Sequence, residues 1–256
     1  MAASPESLFE SELEHFRNEV VDSTCSYYVP RTVSFLAAGN RAIHRALNRT
    51  PLIWNASATA FQNSLFVVLG RIFDQQSGHG IDALMGLAQD NPNIFEKPAL
   101  EARKRRADPN ADHWLPEYME QVYVPTPDDF RGLRRSIAEQ RRVYEQQFRE
   151  IRRKYVAHRE IADPDAVAEL FGRAQFAPLE QLLGYLESFH LSLQDMLLNG
   201  NRPELRPRTI NLQALVEAPI DQIHRQYAPE MAVYDVRRCL ELLLAGSAQW
   251  VRDARR

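Results

Sequence analysis

Apolar residues recur at steps of three and four along most of this chain, and no stretch of useful length alternates as a strand would, so the pattern predicts helices throughout. A first helix opens at Ser4-Pro5, an N-cap followed by proline at the first helical position. It carries Leu8, Leu13, Phe16, Val20 and Val21 on its apolar face until Pro30 ends or kinks it. A second runs from Val33 through Ile43 and Leu47 to Asn48. Thr50-Pro51 starts a third, reaching Asp74, and this most hydrophobic segment is the expected centre of the packing. A glycine-containing turn follows, then short helices over Ile81 to Gln89 and Pro98 to Arg106. The proline-rich tract Ala107 to Pro127 reads as an excursion with one turn of helix around Leu115 to Tyr123.

Asp128 to Glu160 reads as one long helix, free of Gly and Pro after Gly132. Phe130, Leu133, Ile137, Tyr144, Phe148, Ile151 and Tyr155 form a narrow apolar stripe, and the same step reaches His158 near the end. Beyond it, Asp163-Pro164-Asp165 caps a short helix to Phe171, and Pro178 opens a helix that ends at Asn199-Gly200. Residues 201–208 (NRPELRPR) look like a linker, and Met231 to Val251 forms a final helix. The reading is an all-α bundle over residues 1–200, with residues 201–256 as linker and C-terminal helical extension.

Composition agrees with a globular helical chain. Of 256 residues, 45% are hydrophobic and 25% charged, and glycine is sparse. The two cysteines, Cys25 and Cys239, suggest neither a disulfide framework nor a zinc site. The N-terminus lacks the features of a secretory signal and no stretch approaches ~20 apolar residues, so a soluble, cytoplasmic protein with no membrane association is expected. The net charge of −3 argues against nucleic acid, but its distribution does not. Ten basic residues between Arg131 and Arg159 face only Glu139, Glu145 and Glu150, and a second run, Arg103 to Arg106, precedes them. Such clustering suits a phosphate backbone, although solvated charge on a long surface helix is the commoner cause.

Residues 151–160, IRRKYVAHRE, resemble the R-x(4–6)-H signature of HEPN domains. The order of an Arg, a polar residue, Lys, two variable positions, Ala, His and then an acidic residue two later is similar to the AbiU-like, abortive-infection branch. Val68 to Asp74 (VLGRIFD) also resembles the ending of that branch's third helix, where an apolar run leads to a Phe-Asp pair. The resemblance spans roughly Ser7 to Asn199. It implies a HEPN-like helical bundle with an up-down core, here followed by an extra C-terminal helix. It further implies a homodimer whose two motif copies meet, and a metal-independent endoribonuclease of bacterial defence or toxin–antitoxin type. RNA and an antitoxin protein are the implied partners, with no cofactor and no metal.

The residue types suit that chemistry. RNA cleavage by its own 2′-OH needs a base, an acid for the leaving 5′-oxygen, and positive charge on the phosphorane. His158 is the candidate for proton transfer and Arg152 for phosphate stabilisation, with Lys154, Arg149 and Arg159 as RNA-binding residues. Arg153 also satisfies the motif spacing, although the family pattern favours Arg152. On a straight helix Arg152 lies about 120° from His158 and Arg153 about 140° to the other side. The groups therefore meet only through a bend, a long side chain or a second subunit. The position after the motif arginine, usually Asn or Asp in the family, is Arg153 here, so a catalytically silent HEPN module that binds RNA, nucleotide or a protein stands as the alternative. Glu12-x-x-His15 and Asp221-x-x-His224 place a carboxylate and an imidazole at one-turn spacing but lack further inward ligands for a metal.

Overall fold

The computed structural model describes residues 4–157 and 176–253. Every regular element among them is helical: α1 (Pro5–Gly39), α2 (Arg41–Leu47), α3 (Pro51–Phe73), α4 (Ile81–Asp90), α5 (Lys97–Ala107), α6 (Leu115–Gln121), α7 (Pro127–Gln147), α8 (Arg149–Ile151), a π-helical turn at Arg152–Ala157, α9 (Phe176–Asn199), α10 (Leu212–Glu217) and α11 (Ala228–Asp253). The all-α fold expected from the periodicity is what the described residues form, and it is consistent with the HEPN-like helical bundle that the motif resemblance implies. The short helix expected from Asp163 to Phe171 lies outside the described residues.

The chain divides into two compact units, and α1 and α3 each contribute to both. One unit comprises Met1–Val20 and Leu69–Thr209. Its core joins Phe9 and Phe16 of α1 to Phe95 and Phe189, with ring centroids 5.3 and 5.8 Å apart, and packs α7 against α4 and α9. α7 begins where Thr126 accepts from the Asp129 amide while the Asp129 carboxylate accepts from the Thr126 amide, with Pro127 at the first turn. α9 buries Leu182, Leu186, Phe189, Leu193 and Leu197 at helical spacing. Just past its end, Gly200 takes φ +61°, and a Cβ there would sit 2.6 Å from Val122 and 2.7 Å from Leu100. Arg103, 8% exposed, donates to the carbonyls of Ile94 and Leu197 and pairs with Glu6 at 3.3 Å. One buried guanidinium thus ties α1, α5, α9 and the 3₁₀ turn Pro92–Phe95 together.

The other unit comprises Val21–Val68 and Ile210–Arg256. Ile43, Val236 and Leu240 form its buried centre, packed by Val29, Val33, Leu36, Leu47, Trp54 and Leu244. Two expectations are corrected here. α1 does not end at Pro30 but continues to Gly39, with Tyr27 and Tyr28 buried and Val29 and Val33 packed on that centre. The break comes at Asn40, whose side chain caps α2. The N-terminal half of α3 is not central: Leu52 is 81% and Ile53 62% exposed, and the heavily buried residues begin at Leu65. α3 is also, among the described residues, the one helix long and apolar enough to cross a membrane. Length and composition are weak evidence, since core helices of soluble proteins pass the same test.

Candidate functional site

The apolar stripe of the predicted long helix is buried as expected, with Phe130, Leu133, Ile137, Tyr144, Phe148 and Ile151 all inside. The single straight helix is not formed. α7 ends at Gln147, Phe148 adopts φ −125° and ψ −24°, and after α8 the chain winds as a π turn from Arg152 to Ala157. Phe148 is fully buried, and its amide still donates to the Tyr144 carbonyl at 2.8 Å, so the helical path is interrupted and then locally underwound rather than abandoned. Single π-helical turns within helices are frequent at functional sites. The straight-helix angles between Arg152, Arg153 and the following residues therefore do not apply. His158 and Arg159 lie outside the described residues.

The π turn brings Arg152 against the end of α3. Gly70 is buried in α3, and a Cβ on it would overlap the Arg152 side chain at Cδ and Nε and lie 2.7 Å from Cζ. One turn further along, Phe73 stacks on Tyr144 with centroids 5.2 Å apart and planes 17° apart. Tyr144 is 4% exposed. Its hydroxyl stands within reach of the Arg152 guanidinium, although the geometry falls short of a formed hydrogen bond. Burial pushes the phenol's pKa up, while the charges of Arg152 and Arg149 oppose that rise. The two segments that carry the family resemblance, Val68 to Asp74 and the start of the motif, thus meet in space.

The surrounding charges separate Arg152 from its neighbours. Arg149 pairs with Glu145 at 3.9 Å, Arg153 with Glu150 at 4.0 Å and Lys154 with Glu150 at 3.1 Å, all surface pairs along one helical strand of chain. Arg134 and Arg141 turn inward to Asp82 of α4. Arg131 pairs with Asp128. Among the described residues, Arg152 has no carboxylate within ion-pair distance. The run Arg103 to Arg106 is also engaged internally. Arg103 is the buried clamp, Lys104 reaches Asn199 and lies over the Tyr118 ring, Arg105 pairs with Glu101 and Asp112, and Arg106 approaches Glu6. The excess of basic residues read along the sequence is therefore largely absorbed by the fold.

The histidine–carboxylate pairs serve other contacts. The Glu12 carboxylate accepts from His79 Nδ1–H at 2.9 Å, and the His15 and His79 rings lie 5.3 Å apart. Asp221 and His224 do not share a helix, because Asp221 sits in a 3₁₀ turn that ends at Gln222. Among the described residues no three His, Cys, Asp or Glu side chains converge as a metal site.

Sequence reasoning missed the parts played by Gly70 and Tyr144. A glycine inside the most apolar helix is a signal of close approach. A hydroxyl on an otherwise apolar stripe is another, but neither names its partner.

A search of curated proteins and of solved structures returns no match. The model of the AbiU2 family of HEPN domains matches residues 7–210, a span that holds both α3 and the π turn. With that match covering most of the sequence, this chain belongs to the AbiU2 HEPN family.

Proposed function

We propose that this protein is a metal-independent endoribonuclease of bacterial defence or toxin–antitoxin type, working as a homodimer. The observation that supports it best is Arg152: of the two motif arginines, the one the family pattern favours has no carboxylate within ion-pair distance among the described residues, and it lies near a buried hydroxyl at a π turn. In the reaction, the RNA 2′-OH attacks the adjacent phosphorus as a base removes its proton. The P–O5′ bond then breaks as an acid protonates the leaving oxygen, giving a 2′,3′-cyclic phosphate and a 5′-OH. His158, or the pair supplied by two subunits, carries the proton steps, and Arg152 holds the non-bridging oxygens with a charge that persists at any working pH. Lys154 and Arg149 suit contacts to neighbouring phosphates, at the cost of exchanging weak surface pairs, and Arg159, next to His158 in sequence, is assigned the same role.

The test is cleavage of a mixed RNA pool in EDTA by the wild type, His158→Ala and Arg152→Ala. Cleavage by the wild type with cyclic phosphate ends, lost in both variants, supports the reading. An inactive wild-type dimer overturns it in favour of a silent HEPN module that binds RNA, nucleotide or a protein. One observation favours that second reading: Arg153 pairs with Glu150 and stands where the family usually has the Asn or Asp that orients the histidine.

A further inference from the structure

Gly70 carries a role that the family motif does not name. Within a helix interior glycine is less favourable than alanine, and nothing in the backbone of α3 requires it: Gly70 has no positive φ, which among the described glycines belongs to Gly200. The absent Cβ is instead filled by a side chain. Arg152 Cδ, Nε and Cζ occupy the space that any larger residue at 70 would take. The Tyr144 hydroxyl is within interaction range of that guanidinium, is buried and without a formed hydrogen bond, and its ring is stacked on Phe73. The next residue, Arg71, is directed elsewhere, with two hydrogen bonds of 3.0 and 2.9 Å to Glu19 of α1, so the α3 face that carries Gly70 is fixed in rotation.

We infer that Gly70 is a positioning residue for Arg152: its missing side chain forms the slot that seats the guanidinium against α3, beside the Tyr144 hydroxyl, in the orientation used on an RNA phosphate. The functional half of this inference rests on the endoribonuclease reading above; the seating of Arg152 does not. Because the atoms displaced belong to the far end of a flexible side chain, alanine at 70 moves Arg152 without breaking the fold. Structural importance and positioning therefore predict opposite results. A glycine needed for packing loses stability when replaced, whereas a glycine kept for Arg152 loses activity and keeps or gains stability.

The experiment compares the full-length wild type, Gly70→Ala, Arg152→Ala and the double variant. Melting temperature, RNA cleavage in EDTA and the arginine side-chain Nε–H spectrum are measured, the Arg152 signal being assigned by its loss in Arg152→Lys. Gly70→Ala is expected to melt at or up to about 2 °C above the wild type. It should shift the Arg152 signal to a solvent-exposed position and lower kcat about 100-fold or more, as removal of a preorganised donor does. The double variant should be no slower than Arg152→Ala alone. An unchanged Arg152 signal in Gly70→Ala overturns the inference, as do wild-type kcat or a kcat loss that adds to that of Arg152→Ala. If the wild type cleaves no RNA, the endoribonuclease reading falls, and the Nε–H signal still decides whether Gly70 seats Arg152.

Discussion

Phe73, the last residue of α3, lies flat on Tyr144 of α7, ring centroids 5.2 Å apart and planes within 17°. This stack joins the two segments on which the candidate site depends, and it sits where α7 is about to lose its regular winding at Phe148. Both rings are 4% exposed, so removing either leaves a cavity rather than a wetted surface. Phe73→Ala should destabilise the protein by about 3 kcal/mol, and Phe73→Leu by roughly half as much, because leucine keeps most of the volume and loses the ring contact. Urea unfolding followed by circular dichroism reads both values.

The arginines of the motif should separate kinetically. Among the described residues Arg152 has no carboxylate within ion-pair distance and lies against Gly70, whereas Arg153 is an exposed residue paired with Glu150. On the proposed reaction, Arg152→Ala lowers kcat about 100- to 1000-fold, the range for losing one charged or hydrogen-bonding donor at a developing oxyanion. Arg153→Ala changes it by less than about tenfold, in line with a surface pair. Single-turnover cleavage of a defined RNA measures the two, and equal losses would reverse the assignment.

Arg103 and Arg105 stand two positions apart and should behave oppositely under denaturant. Arg103 is buried and holds two backbone carbonyls and Glu6, so Arg103→Met leaves two buried acceptors unpaired, removes the nearer of the two arginines on Glu6, and should cost about 3 kcal/mol. Arg105 is paired at the surface with Glu101 and Asp112, and Arg105→Ala should leave the unfolding midpoint where it is. Guanidinium titrations of the two variants check the contrast.

Acid should weaken the fold through His190 of α9. This imidazole is 6% exposed, and burial, helped by the Arg17 charge and opposed by Glu14, lowers its pKa from 6.5 to about 4. The unfolded chain takes up the proton first as pH falls, so the stabilisation present above pH 6.5 is lost between there and about pH 4, a loss of roughly 3 kcal/mol. His190→Asn, which has no such proton to gain, should flatten the stability profile across that window. Unfolding free energies measured at half-unit intervals from pH 7 to 4 test this, and an unaltered slope would remove His190 as the cause.

The sequence by itself determined the all-helical class and the buried face of α7 and α9, though not every helix boundary. Caps such as Thr126 with Asp129, and the stripe from Phe130 to Ile151, act between residues a few positions apart, so periodicity reports them directly. It also held both segments of the family resemblance. Tertiary structure alone decided what those segments do to each other. The bend at Phe148 and the π turn after it come from packing a fully buried ring while Arg152 is drawn against Gly70, contacts between residues far apart in the chain. The basic runs were legible as charge but not as interface, because whether an arginine faces phosphate or a carboxylate depends on what the fold places opposite it. Arg103, Arg134 and Arg141 met partners from other helices, and Arg152 met a glycine and a hydroxyl.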